Sequence, residues 1–186
     1  TGITGIFESI KYLGGIQLNE LDEYSYSDEG KEMMKIIFET INEVNKKSID
    51  LYGFTSNSEQ IPSESCSITL INKDRLLYNN EIVNNTSLYG NQWIPLNVNS
   101  DLNDRIETCA TYDPLCGGGA IGHFNLSEPI KDFETAWNIA KYIAKKGVIY
   151  YSLIQRFNYC HKDHTFYGDI CPKCGGEVKG TGIKIV

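Results

Sequence analysis

With 186 residues, 41% of them hydrophobic and 22% charged, the chain has a globular composition, with room for one core and a small appended module. A formal charge of −7 and a pI near 5.0 exclude the basic stripe that releases counterions on nucleic acid, so nucleic acid is not an expected partner. The sequence shows no signal peptide and no apolar run long enough to span a bilayer, and its six cysteines, three of them in a metal-type knuckle, point to a reducing cytoplasm.

Taken in chain order, Ile3 to Leu13 carries apolar residues at helical spacing and stops at Gly14-Gly15. Residues 16 to 29 read as an acidic surface loop. Lys31 to Ile49 is the strongest predicted helix, with Met33, Met34, Ile37, Ile41 and Val44 on one stripe; the two Met are core packing, not a cofactor box. Gly53 to Glu64 is a polar loop in which Pro62 bars a regular helix. Ser67 to Ile71 is expected as a short strand, Asn72 to Ser87 as Asn-rich loop, and Trp93 to Val98 as a strand entering a buried sheet. A helix capped by Ser100 or Asp101 follows over Leu102 to Tyr112.

The glycine run Gly117 to Gly119 leads into a strand over Ala120 to Leu126. Asp132 to Lys146 is an amphipathic helix with Phe133, Ala136, Trp137, Ala140, Ile143 and Ala144 predicted inward, closed by Gly147, and Val148 to Ile154 is a buried strand. Strands alternating with helices imply an α/β arrangement. Thr1 in place of an initiator Met, and a closing Gly180 to Val186 that reads as a strand, give the expectation of a piece of a longer polypeptide.

The most specific chemistry lies in Cys160-His-Lys-Asp-His164 and Cys171-Pro-Lys-Cys174-Gly. A Cys-Pro-x-Cys-Gly knuckle turns two thiolates toward one point, and an upstream Cys-x3-His supplies two more ligands, making a Cys3His tetrahedral set of Cys160, His164, Cys171 and Cys174. Four soft or borderline ligands with no open position favour structural Zn2+ over catalytic zinc. His161 is the alternative fourth ligand, and His164 is preferred because neighbouring residues rarely reach one metal together. A reactive dithiol is the competing explanation.

Two other clusters stand out. Glu59-Gln-Ile-Pro62-Ser-Glu64-Ser65-Cys66 sets two carboxylates, a hydroxyl and a thiol in a Pro-fixed loop, which suits acid–base work or a strong hydrogen bond to a substrate hydroxyl and equally suits a polar turn. Cys116-Gly-Gly-Gly-Ala-Ile-Gly-His123 exposes backbone amides without Cβ obstruction but lacks the spacing of a phosphate loop. Cys109 and Cys116 are either a redox pair or buried structural cysteines, and His123 is either a core or a catalytic histidine.

In order, Gly2-Ile-Thr-Gly-Ile-Phe-Glu8, Glu59-Gln-Ile-Pro-Ser-Glu64-Ser65, Leu115-Cys-Gly-Gly-Gly119 through His123, and Tyr150 through the Cys174 knuckle resemble the carboxy-terminal part of an anaerobic, class III ribonucleoside-triphosphate reductase. The resemblance covers nearly the whole chain. It implies a glycyl-radical enzyme with a ten-stranded α/β barrel, to which residues 1–155 contribute a part and residues 156–186 add a zinc-ribbon-like module. It further implies reduction of ribonucleoside triphosphates by a thiyl radical, with Glu64 as the active-site carboxylate near the ribose hydroxyls and Ser65 as a neighbouring polar contact. The family's radical glycine segment is missing here, Lys184-Ile-Val186 being its lead-in, and no cysteine matches the thiyl cysteine, so the 186 residues are not expected to turn over alone. Expected partners are the rest of the catalytic subunit, an activating radical enzyme and a second subunit in a homodimer. The rival readings are a non-catalytic zinc-ribbon module that binds another protein and a redox protein using Cys109 and Cys116.

Overall fold

A computed structural model describes residues 3–60, 65–78, 80–126 and 129–185, with the side chains of 156 and 183–185 left aside. Helix α1 (Ile6–Tyr12) leads through a hairpin of β1 (Ile16–Leu18) and β2 (Tyr24–Tyr26) into the long helix α2 (Asp28–Tyr52). The hairpin occupies what the sequence reads as loop. Ser27 caps α2 by accepting the Gly30 N–H at 3.1 Å, and Gly53 ends it in the left-handed region at φ 74°. A Cβ on Gly30 would collide with the Gly15 backbone, so glycine is required where α2 starts against the end of α1. Met34 lies at the centre of the apolar face of α2, joined by Phe38, while Val44 at its far end is exposed.

Helix α3 (Ser65–Tyr78) replaces the strand expected over Ser67 to Ile71, and with α4 (Glu81–Asn85) it fills much of the expected loop. The β-branched run Ser-Ile-Thr misleads locally: Thr69 bonds back to the Ser65 carbonyl at 2.9 Å, and Ser67 and Ile71, one helical turn apart, are the buried pair. Residues 93–98 form turns, not a strand. Trp93 and Ile94 are both buried, and the carbonyls of Ile94, Pro95 and Val98 go to the Arg105 guanidinium at 2.8, 3.2 and 2.6 Å instead of to a ladder.

Helix α5 (Leu102–Tyr112), capped by Asp101 on the Asn103 N–H, runs into a 3-10 turn over Asp113–Leu115. Short strand β3 (Glu59–Gln60) pairs in parallel with β4 (Gly119–Ala120), and β5 (Gly122–Leu126) pairs in parallel with β6 (Tyr151–Tyr159). Helix α6 (Phe133–Lys146) crosses between β5 and β6 as in a βαβ unit. It buries Ile143, with Ala136, Ile139 and Ala140 partly covered. Phe133, Trp137 and Ala144, predicted inward, face outward, and the Phe133 and Trp137 rings stack on each other at 6.3 Å.

The main core gathers Phe7, Tyr26, Phe38, Trp93 and Tyr112 from α1, β2, α2, α5 and the 93–98 turns, and Phe124, Ile143 and Leu153 extend it under the sheet. From Ile154 onward β6 pairs antiparallel with β8 (Gly180–Ile185), and at Asn158 and Tyr159 also with β7 (Thr165–Phe166). One strand therefore carries the 155/156 position from the α/β part into the knuckle part. No helix among the described residues is long and apolar enough to cross a membrane.

Candidate functional site

The knuckles are built from two tight turns at the end of β6. In the first, Cys160 N–H donates to the His164 carbonyl at 3.2 Å and Asp163 N–H to the Cys160 carbonyl at 2.9 Å, with Asp163 left-handed at φ 55°. In the second, Gly175 N–H reaches the Cys171 carbonyl at 2.8 Å and Cys171 N–H the Gly176 carbonyl at 2.9 Å, with Gly175 at φ 68°. These turns point one ligand atom from each of Cys160, His164, Cys171 and Cys174 inward, all within 4.8 Å of one another. Cys160 Sγ lies 3.6 Å from Cys174 Sγ, and Cys171 Sγ 3.6 Å from His164 Nδ1.

A tetrahedral ion at about 2.3 Å from sulfur and about 2.0–2.1 Å from imidazole nitrogen puts two sulfurs about 3.8 Å apart and a sulfur about 3.6 Å from the nitrogen. The residues present fit such an ion, and His164, not His161, belongs to the group that could hold it. Cys160 and Cys171 are each 1% exposed and pack on Phe166 in a small core of their own. Burial opposes ionisation of Cys160, but the N–H groups of Lys162 and His164 and the thiols of Cys174 and Cys171 outweigh it and hold the Cys160 thiol below its ordinary range.

A second polar constellation lies on the sheet. Parallel partners share a face, so Phe124 and Leu153 point into the helical core while His123 and Ser152 sit together on the opposite face. His123 Nδ1 is 2.6 Å from Ser152 Oγ, and burial lowers the His123 pKa, which keeps the imidazole neutral at neutral pH. Between β4 and β5 the ladder lapses at Ile121, and two buried side-chain amides stand in for it. Gln60 Oε1 accepts the Ile121 N–H at 3.1 Å, Gln92 Nε2 donates to the Ile121 carbonyl at 3.0 Å, and Gln92 Oε1 accepts the His123 N–H at 3.1 Å. His123 thus lines a cavity of about 360 Å³ together with Ser67 and Ile68 of α3 and residues of the 88–97 segment.

Of the sequence-predicted catalytic pair, Ser65 is exposed at the start of α3 and Glu64 lies outside the described residues. Cys66 is exposed, whereas Cys109 and Cys116 are buried and unbridged. Burial raises both thiols, Cys116 to about 11, which makes them poor nucleophiles and disfavours the redox-pair reading. Asp113, unremarked in the sequence, is fully buried. Its Oδ1 accepts the Trp93 indole N–H at 2.7 Å, Oδ2 has no partner among the described residues, and burial pushes its pKa up to about 6 against the opposing Trp93 bond.

The sequence model of a family described as anaerobic ribonucleoside-triphosphate reductase matches residues 1–184. The chain belongs to that family. Solved structures agree along the whole length. An anaerobic ribonucleotide reductase is 35% identical with a TM-score of 0.81, covering 100% of this chain and 29% of that one. The Thermotoga maritima anaerobic ribonucleotide reductase with glycerol in the active site gives 35% and 0.81, covering 100% and 31%. The same enzyme in complex with dATP and CTP gives 36% and 0.79, again covering 100% and 31%. The chain therefore spans under a third of the reductases it matches. No curated protein matches it.

Sequence reasoning picks out the four residues that gather at the knuckles and misses Gln60, Gln92, Asp113 and Ser152. Each missed residue acts on a partner at least 20 positions away, and no local spacing marks such a contact.

Proposed function

We propose that the chain is part of the catalytic subunit of an anaerobic ribonucleoside-triphosphate reductase, which converts ribonucleotides to deoxyribonucleotides for DNA synthesis by glycyl and thiyl radical chemistry in the cytoplasm. The observation that carries this reading is the likeness along the entire chain, from residue 1 to residue 184, at 35–37% identity to solved reductases. A free-standing zinc-ribbon protein would resemble them over residues 156–186 alone, so that reading is less supported. A relative that holds dATP and CTP supports a ribonucleoside triphosphate as substrate.

On this reading residues 1–155 supply a part of a ten-stranded α/β barrel, completed by the rest of the subunit. Glu64 holds the ribose hydroxyls, and Ser65 adds a polar contact. Residues 156–186 form a module in which Cys160, His164, Cys171 and Cys174 hold structural Zn2+, since a thiolate-rich set of four leaves no open position for substrate. The glycyl radical, raised in the whole subunit by an activating radical enzyme, supplies the one-electron chemistry, and the residues of this chain bind and orient substrate. A homodimer is the expected assembly.

The test is ribonucleotide reduction by the full-length subunit that contains this chain, activated anaerobically. The unmodified subunit is expected to reduce a ribonucleoside triphosphate, and Glu64→Gln is expected to lower turnover at least a thousandfold while zinc content stays at one per chain. An inactive parent sinks the reading, and an active Glu64→Gln variant returns Glu64 to the turn residues.

A further inference from the structure

The stretch from Glu59 to Ser67 joins β3 to the first turn of α3, and both of its ends are tied to the start of the chain. At the near end, Ile3 N–H donates to the Glu59 carbonyl at 2.9 Å. At the far end the tie passes through Tyr89 and Gly90. Gly5 N–H donates to the Gly90 carbonyl at 2.7 Å, and Gly90 N–H donates to Glu8 Oε1 of α1 at 3.0 Å, so this one residue is gripped by both of its backbone groups. Tyr89 carries the hold on to α3: its N–H reaches the Ser67 carbonyl at 3.4 Å, and its phenol donates to Asp74 Oδ2 at 2.6 Å.

The close approach needs glycine at position 90. A Cβ there would stand 2.8 Å from Pro95 Cγ and 3.1 Å from Glu8 Oε1, pushing the segment off α1. Glu8 is a costly residue for packing alone. Its Oε2 is buried with no partner among the described residues, and burial raises its pKa against the lowering effect of its own backbone, the Gly90 N–H and Lys11. An apolar side chain would fill the place without desolvating a carboxyl, so what Glu8 supplies is the oxygen that meets the Gly90 N–H.

The reductase reading above sets Glu64 and Ser65 at the ribose hydroxyls, and Ser65 opens α3 two residues before Ser67. Resting on that reading, we propose that Glu8 is a positioning residue of the reductase: through Gly90 and Tyr89 it fixes the first turn of α3, and with it the groups that orient the ribose. Glu8 touches no substrate in this role. A misplacement of about 1 Å at a reacting group costs about a hundredfold in rate, so a hold this far from the chemistry reads out in turnover.

The test is CTP reduction by the anaerobically activated full-length subunit, with turnover expressed per glycyl radical counted by electron paramagnetic resonance. A variant that merely folds poorly carries fewer radicals and leaves the turnover of each unchanged. Glu8→Ala is expected to lower kcat per radical about tenfold to a hundredfold, while KM for CTP moves less than about threefold. Glu8→Gln keeps an oxygen for the Gly90 N–H and is expected to stay within about threefold of the parent. Tyr89→Phe, which loses the bond to Asp74 and keeps the ring, is expected to lower kcat per radical about three- to tenfold. Parent-like kcat per radical in Glu8→Ala overturns the proposal, as does a loss that Glu8→Gln does not recover. If Glu8→Ala does not accumulate, parent-like kcat per radical in Tyr89→Phe overturns it. In each of these cases a parent that reduces CTP leaves the reductase reading standing; a parent that does not reduce CTP sinks that reading and this proposal with it.

Discussion

The knuckle end of β6 and the sheet face near its start are both polar constellations, and they are assembled by opposite means. At the knuckles, four potential ligands from a stretch of 15 residues, 160 to 174, are brought together by two turns whose bonds span three to five positions. On the sheet face, Gln60, Gln92, His123 and Ser152 meet only because β3, β4, β5 and β6 pair in parallel and α3, α5 and α6 fill the connections. The first arrangement is a local solution whose four residues could hold a metal ion. The second is a property of the whole fold and stands without a ligand, so a perturbation at one should not read out at the other.

Metal removal is the most drastic way to break that separation. Chelation, or Cys171→Ser, is expected to abolish amide protection over residues 160–179 in hydrogen exchange, since structural zinc supplies about 10–16 kcal/mol of apparent folding energy in small zinc-finger peptides. The amides of α2 and α5 should keep theirs. Protection that survives chelation at the knuckles would show that the turns hold by themselves.

A smaller effect is expected at the amide seam. Gln92→Ala leaves the Ile121 carbonyl and the His123 N–H without their side-chain partner, at a cost of about 2–4 kcal/mol in urea unfolding. Gln92→Glu keeps the acceptor for His123 and loses the donor to Ile121, so its midpoint should fall between the other two. Zinc content should not change in either variant.

The smallest effect is a pH slope at Asp113. Burial raises its pKa from 3.8 to about 6, so the folded state holds this proton more tightly than the unfolded chain does. The stability it contributes is full below about pH 4 and is lost as pH rises through about 6. Relative to Asp113→Asn, the parent should lose about 1–3 kcal/mol between pH 4 and 7. Parallel stability curves for the two proteins would place a counter-charge beside Asp113.

What could be read from the sequence follows the same division. Helices α2, α5 and α6 announce themselves because Ser27, Asp101 and Asp132 cap them within three residues and their apolar spacing is local. The knuckle is legible for the same reason. Trp93 to Val98 looks like a strand until Arg105, from the next helix, claims its carbonyls. Phe133 and Trp137 follow the helical period and still face outward, while Ile143 is the buried residue of α6 and Ala136, Ile139 and Ala140 are partly covered. Among the site residues, the knuckle ligands converge as spacing requires, His123 acquires its partner only from the β5–β6 register, and Glu64 lies outside the described residues.

The register of β6 with β8 makes the knuckle a setting screw for a distant point. Ile185 is level with Ile154, which is level with Asn125, so β8 ends two residues, or about 7 Å, along β6 from Ser152. The phase of β8 is fixed where the knuckle closes, at Tyr159 and Gly180. A single residue inserted between Cys174 and Gly180 would either be absorbed as a bulge or shift β8 by one step, exchanging its two faces and re-aiming whatever follows.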